Sequence, residues 1–263
     1  MDFRNVLLII DAQYDFCNPN GALYVKGADE DMQRLTVFIQ RNAAQLNHIC
    51  VSLDAHRVND IAHPNFWENA QGKHPIPFTI ITLQDLITKK WMPRFEPEIV
   101  KKYLQLLEKE GQFAHFIWPM HCLIGSKGAA LDDGIMTAIS QWAQNFAKQY
   151  EVVTKGYYPF SEHFGVFKAQ VSYPTIVETQ LNTGLLNTLW QYNRVFVAGE
   201  AKSHCVATSL QQIIRYAPAL VPKITVLTDT MSDVPNLGYL GEPTYKQLQK
   251  MGAAFANAAD LVL

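Results

Sequence analysis

Asp11, Lys155 and Cys205 are a carboxylate, an amine and a thiol, each lying at or just beyond the end of a short aliphatic run. A carboxylate can take the proton of a thiol. An ammonium beside them favours the thiolate and stabilises negative charge on a reacting oxygen. Cys205 follows the turn Gly199-Glu200-Ala201-Lys202-Ser203-His204, where a helix is expected to begin. The free N–H groups and dipole of a helix start favour a thiolate, and the same N–H groups can hold an oxyanion. Gly156, directly after Lys155, signals a close backbone approach. Each residue also has a plainer reading. Asp11 can cap the next turn, Lys155 can extend its amine to solvent, and Cys205 can be a small core residue.

A second group carries the donor types of a divalent-metal site. Asp54 and His56 stand at i and i+2 after the run 49–53, so an extended chain points them the same way. His121 follows the prolyl turn Trp118-Pro119-Met120, and His63 lies seven residues beyond His56. One carboxylate with imidazoles suits zinc and its neighbours. A D-x-H triplet is a weak signal by itself, and His121 can equally be a turn residue bonded to backbone.

The elements that must position these groups are legible as an alternation. Apolar runs at 5–10, 49–53, 114–117, 150–154, 194–198 and 224–227 read as buried strands. Helical patterns lie between them at 31–47, 96–110, 135–148, 184–192 and 206–217. This rhythm predicts an α/β fold: a doubly wound, Rossmann-like, mostly parallel six-stranded sheet with helices on both faces. Ligands of such sheets bind at the carboxyl ends of the strands, which is where the residues above fall. The chain reads as one domain with an insertion at about 64–111, which holds Pro75, Pro77, Pro93 and Pro97 and an extra strand or arm at 78–81. The insertion can cover a pocket, form an oligomer contact or be a plain surface elaboration.

The bulk composition narrows the function classes. With 263 residues, 48% hydrophobic and 17% charged, the chain can bury a large core and is not a disordered protein. A formal net charge of −2 without a Lys/Arg run argues against a nucleic-acid partner. The first apolar run, 6–10, is too short for a secretory or membrane segment, and the four cysteines form no CxxC pair. A cytoplasmic protein without membrane or disulfides is expected.

Three motifs carry a family resemblance. They are Ile9-Ile10-Asp11-Ala12-Gln13-Tyr14-Asp15-Phe16-Cys17, Trp118-Pro119-Met120-His121-Cys122-Leu123-Ile124-Gly125-Ser126 and Gly199-Glu200-Ala201-Lys202-Ser203-His204-Cys205-Val206. In order and over nearly the whole chain, they resemble the isochorismatase-like cysteine hydrolases, and within them the nicotinamidases. The resemblance implies a catalytic triad of Asp11, Lys155 and Cys205, with an oxyanion hole from the Ala201 and Cys205 N–H groups. It implies a non-prolyl cis peptide at Glu200–Ala201. It implies a divalent metal, zinc first with iron or manganese as alternatives, on Asp54, His56 and His121, with His63 as a further ligand. Phe16 and Trp118 match the aromatic residues that hold the substrate ring.

The implied activity is hydrolysis of a small amide, nicotinamide to nicotinate and ammonia, through a thioester, by a homo-oligomer. A cation beside Asp11 is expected to keep that carboxylate ionised. Another amidase or ureide hydrolase of the family, or a non-catalytic scaffold member, is the alternative. Four departures bear on the substrate. The turn reads Lys202-Ser203 where Thr-Asp is usual, and Glu200 replaces a small apolar residue. The His56–His63 spacing is one residue longer than usual, and the insertion after Phe66 is longer too.

Overall fold

Asn5–Ile10 is aliphatic after its first residue and buried throughout, the pattern of a strand covered on both faces. In the computed structural model, which describes residues 3–111 and 113–263, it forms the strand β1 near the centre of a sheet. The others are β2 (Leu46–Asp54), β3 (Glu151–Lys155), β4 (Arg194–Gly199), β5 (Ile224–Leu227) and β6 (Ala254–Ala256). Their order is β6-β5-β4-β1-β2-β3, and every neighbouring pair is parallel. The chain builds outward from β1 to β3, then returns to the other side of β1 with β4. The crevice of such a sheet opens at that reversal, beyond the ends of β1 and β4.

The alternation of side chains along β1 divides the core. Leu7 and Ile9 pack with Phe38 and Ile39 of α1 (Ala28–Arg41) and with Ile139 and Trp142 of a later helix, Asp133–Phe146. Val6, Leu8 and Ile10 face the opposite layer, where Leu185, Leu189, Leu210, Ile213 and Leu248 come from helices Thr183–Trp190, Ala207–Tyr216 and Glu242–Lys250. Both faces are therefore covered, as the alternation of runs and helical patterns predicts. Asp132 caps the 133–146 helix by accepting from the Gly134 and Ile135 N–H groups, worth about 1 kcal/mol. Its own N–H donates to Ala12 O at 2.8 Å, which ties that cap to the end of β1.

Two strand expectations need correction. The run 114–117 is not part of the main sheet: only His115–Phe116 is extended, pairing antiparallel with Ile80–Ile81 of the inserted segment. His115 interrupts the apolar run and donates from Nε2 to Ile61 O, 2.9 Å away, so this short piece is satisfied outside the sheet. The sixth strand is instead Ala254–Ala256, a three-residue edge strand, two of whose residues are exposed. Its Ala-rich sequence carries little strand signal. Segment 64–111 contributes Phe66, Trp67 and Ile81, packed on Val100, Tyr103 and Leu104 of helix Pro97–Glu110, to a cluster that also takes in Ile61, Ile117 and Val171. It reaches the main body where the Phe78 ring meets Trp118 edge-on at 5.8 Å. Among the described residues no helix is long and apolar enough to cross a membrane.

Candidate active site

The three chemically suited residues converge. Lys155 ends β3, Asp11 follows β1, and between them β2 ends in Asp54, whose register partner is Lys155. Lys155 Nζ lies 2.8 Å from Asp11 Oδ2, 3.2 Å from Asp54 Oδ1 and 3.7 Å from Cys205 Sγ. Lys155 is buried to within 2% of its surface, and Asp11 completely. So the amine is not extended to solvent, and the carboxylate does not cap a helix. Asp11 is fixed from its other side by the Ser52 hydroxyl, which donates to Oδ1 at 2.6 Å. Its backbone sits at φ 48°, a left-handed conformation uncommon outside glycine.

Glycine is required twice here. A Cβ on Gly199, at φ 113°, would lie 1.9 Å from Ile10 O, where β4 presses against β1. A Cβ on Gly156, at φ 78°, would lie 2.6 Å from Asp54 Oδ1. The glycine after Lys155 thus makes room for the carboxylate shared by the amine and the histidines.

Cys205 lies in a wide helical turn, Lys202–Val206, that leads into helix Ala207–Tyr216. The peptide Glu200–Ala201 is cis. Among the described residues no acceptor takes up the Ala201 N–H, which leaves it available to an oxyanion. The unusual residues of this turn all anchor it to one neighbouring segment. Glu200 Oε2 accepts from Ser232 N at 3.0 Å, Lys202 N donates to Ser232 O at 2.8 Å, and Ser203 Oγ accepts from Val234 N at 3.1 Å.

Electrostatics separate the roles. Burial pushes the Cys205 thiol well up, outweighing the Lys155 cation, against the direction expected at a helix start. Burial also raises Asp11, again outweighing Lys155, and the Asp54 charge adds to the rise. This reverses the direction expected from the ammonium alone. It suits a base that must accept a proton. For Lys155, burial opposes the charge, but Asp11 and Asp54 hold its pKa well above the usual lysine value.

Beside these groups lies the metal-type set. Donor atoms of Asp54, His56 and His121 all fall within 4.8 Å of one another. His56 Nε2 is 3.0 Å and His121 Nε2 3.7 Å from Asp54 Oδ2. The remaining ring nitrogens face oxygens: His56 Nδ1 lies 3.1 Å from Asp60 Oδ2, and His121 Nδ1 2.7 Å from Pro119 O. Both Nε2 atoms are thereby turned toward Asp54, the carboxylate–histidine arrangement that orients metal ligands. Burial disfavours the charged His56, yet Asp54 and Asp60 hold its pKa well above the ordinary value. Asp54 is held well below its usual range, since His56 and Lys155 overcome its burial.

His63 stands apart from this group of three. Its ring centroid is 5.1 Å from that of His56 and 5.4 Å from that of His121. Neither of its nitrogens makes a well-formed hydrogen bond, and burial with the two neighbouring imidazoles lowers its pKa to about 2. A neutral, buried imidazole beside an oxygen–nitrogen–nitrogen set fits a divalent cation.

Phe16 and Trp118 both line the pocket above Cys205, with Phe164, His204, Glu162 and Val234. Phe16 meets the His121 ring edge-on at 5.4 Å. Phe164, His204 and Glu162 escaped the sequence reading, as did Asp60 and Gln13. Gln13 grips both backbone groups of Asp54, donating to its O at 2.8 Å and accepting from its N at 2.7 Å. Asp60, four residues after His56, carried a usable signal; Phe164 and Glu162 come from an irregular loop that carried none.

No family model matches the chain. It is 25% identical to the nicotinamidase of Saccharomyces cerevisiae, over 88% of this chain and 90% of that protein. Its fold is that of the yeast nicotinamidase bound to the inhibitor nicotinaldehyde: TM-score 0.64 and 18% identity, covering 96% of this chain and 99% of the other. The pyrazinamidase of Pyrococcus horikoshii in complex with zinc is similar at TM-score 0.56 and 15% identity, over 97% and 99% of the two chains. The chain is thus similar in sequence to a nicotinamidase and shares the fold of nicotinamidases and pyrazinamidases.

Proposed function

We propose that the protein hydrolyses the amide of nicotinamide or a close pyridine carboxamide, with Cys205 as nucleophile. The observation that carries this reading is the meeting of Asp11, Lys155 and Cys205 at one point, beside an Asp–His–His donor set and under two pocket aromatics. Asp11 takes the thiol proton as sulfur attacks the carbonyl carbon. The oxygen gathers negative charge against the Ala201 and Cys205 N–H groups. Asp11 returns the proton to the departing ammonia, leaving a thioester, and water activated by Asp11 then releases the acid. Lys155 holds charge balance at Asp11 throughout.

Asp54, His56 and His121 would hold the metal, with zinc the best match to the donor set, and His63 stands by as a further ligand. Bound there, a cation supplies an electrophilic anchor for a ring nitrogen or its water shell. Phe16 and Trp118 flank the flat ring. The segment 64–111 belongs to the same catalytic unit, because Phe78 backs the Trp118 wall.

An ammonia-release screen over nicotinamide, pyrazinamide, other aromatic amides and ureides tests the reading. Release from nicotinamide and pyrazinamide, suppressed by a chelator and restored by zinc, is the expected result. Release from ureides alone would move the protein to another branch of the family. No release from any of them would favour a binding protein.

A further inference from the structure

A second cluster of metal-type donors lies on the same sheet, far from the catalytic centre. His48 and Cys50 are alternate residues of β2, and Glu151 opens β3 as the register partner of Cys50. Side chains two apart on a strand share a face, so all three project together from adjacent strands. Cys50 lies four residues before Asp54, about 13 Å along the strand. The site is thus separate from the donor set beside Cys205.

We propose that His48, Cys50 and Glu151 bind a thiophilic divalent cation of the zinc class. Their donor atoms all lie within 4.8 Å of one another. His48 Nε2 is 3.5 Å and Cys50 Sγ 3.7 Å from Glu151 Oε2. Tetrahedral zinc with ordinary bond lengths has N–O edges of about 3.4 Å and S–O edges of about 3.6 Å. Two edges of a coordination tetrahedron are therefore already formed.

The His48 contact is long for an imidazole hydrogen bond and the Cys50 thiol donates to Glu151 Oε2, and both distances are also good ligand separations. The His48 ring is held by stacking on Tyr192, with centroids 5.9 Å apart and planes within 5°. The Arg4 guanidinium lies over that same tyrosine ring at 4.8 Å. Cys50 is fully buried, while the His48 and Glu151 side chains are 19% and 35% exposed. A cation can enter from solvent, meet a thiol at the floor and keep a water in its fourth position. The thiolate selects zinc-like ions over magnesium and calcium. On binding, the sulfur–metal bond forms and the thiol proton leaves to solvent.

The test is a cobalt titration of chelator-stripped protein in a Cys205→Ser background, which removes the catalytic thiol as a ligand. A near-ultraviolet thiolate-to-cobalt charge-transfer band is expected, displaced by zinc. It should be lost in Cys50→Ser and in His48→Ala, and kept in the Asp54→Ala, His56→Ala double variant. His48→Ala leaves the buried sulfur in place, so its loss of the band reports ligation rather than misfolding. Absence of the band under excess cobalt, or a band unchanged by both Cys50→Ser and His48→Ala, overturns the proposal.

Discussion

Cys205→Ala is expected to lower amide turnover by about 10⁴-fold or more, the scale on which nucleophile removal acts in covalent hydrolases. The structure gives two reasons for so large an effect. Asp11 and Lys155 are arranged around the sulfur, and no other thiol among the described residues borders the pocket. Cys17 and Cys122 are buried elsewhere, and burial raises both thiols. The fold should survive, because Cys205 sits beside an open pocket and loses a single sulfur atom. Initial rates of ammonia release, with urea unfolding as a control, check both halves. A variant turning over at the wild-type rate would remove Cys205 from the mechanism.

The second large effect concerns stability. Lys155→Met is expected to cost about 3–5 kcal/mol, because it leaves buried carboxylates without their cation. Asp11 and Asp54 both face Lys155 Nζ, within 3.2 Å. Urea denaturation at neutral pH measures the loss. Adding Asp11→Asn to Lys155→Met should restore part of the stability while activity stays absent, since one uncompensated charge is removed. A loss below about 1 kcal/mol would mean the pair behaves like an exposed ion pair.

The pH range over which this cluster stabilises the fold follows from the shifts. Asp54 is depressed from 3.8, so its share is present above that value and disappears as pH falls through the lower folded value. Lys155 is raised from 10.5, so its share is present below that value and is lost only as pH climbs through the higher folded value.

Much of the site was legible because a parallel sheet sends chemistry to predictable places. Asp11, Asp54, Lys155 and the turn to Cys205 all lie at the ends of short runs that form parallel strands of the main sheet. The plainer readings of Asp11 and Lys155 fail on one physical ground, that both are buried and in contact with each other. The strand at 114–117 misled because a few apolar residues look the same in a sheet and in a small hairpin. Ala254–Ala256 escaped because an edge strand of alanines and one phenylalanine has no periodicity to find.

The direction of the Asp11 and Cys205 shifts was hidden for a different reason. Sequence names the neighbouring Lys155 charge but not the depth of burial, and burial is the larger influence on both. Likewise, Lys202-Ser203 and Glu200 looked like changes bearing on substrate choice. In the structure Glu200 and Ser203 are buried, and all three fasten the turn before Cys205 to the Ser232–Val234 segment.

The central claim is that the Cys205 sulfur becomes covalently bonded to the acyl carbon. Mass analysis of protein quenched with acid during turnover of nicotinamide tests it most directly. The account predicts a nicotinoyl group on the peptide that contains Cys205, discharged when excess substrate is removed before the quench. An acyl group carried by a different residue, or nicotinate formed at an undiminished rate by Cys205→Ala, would contradict it.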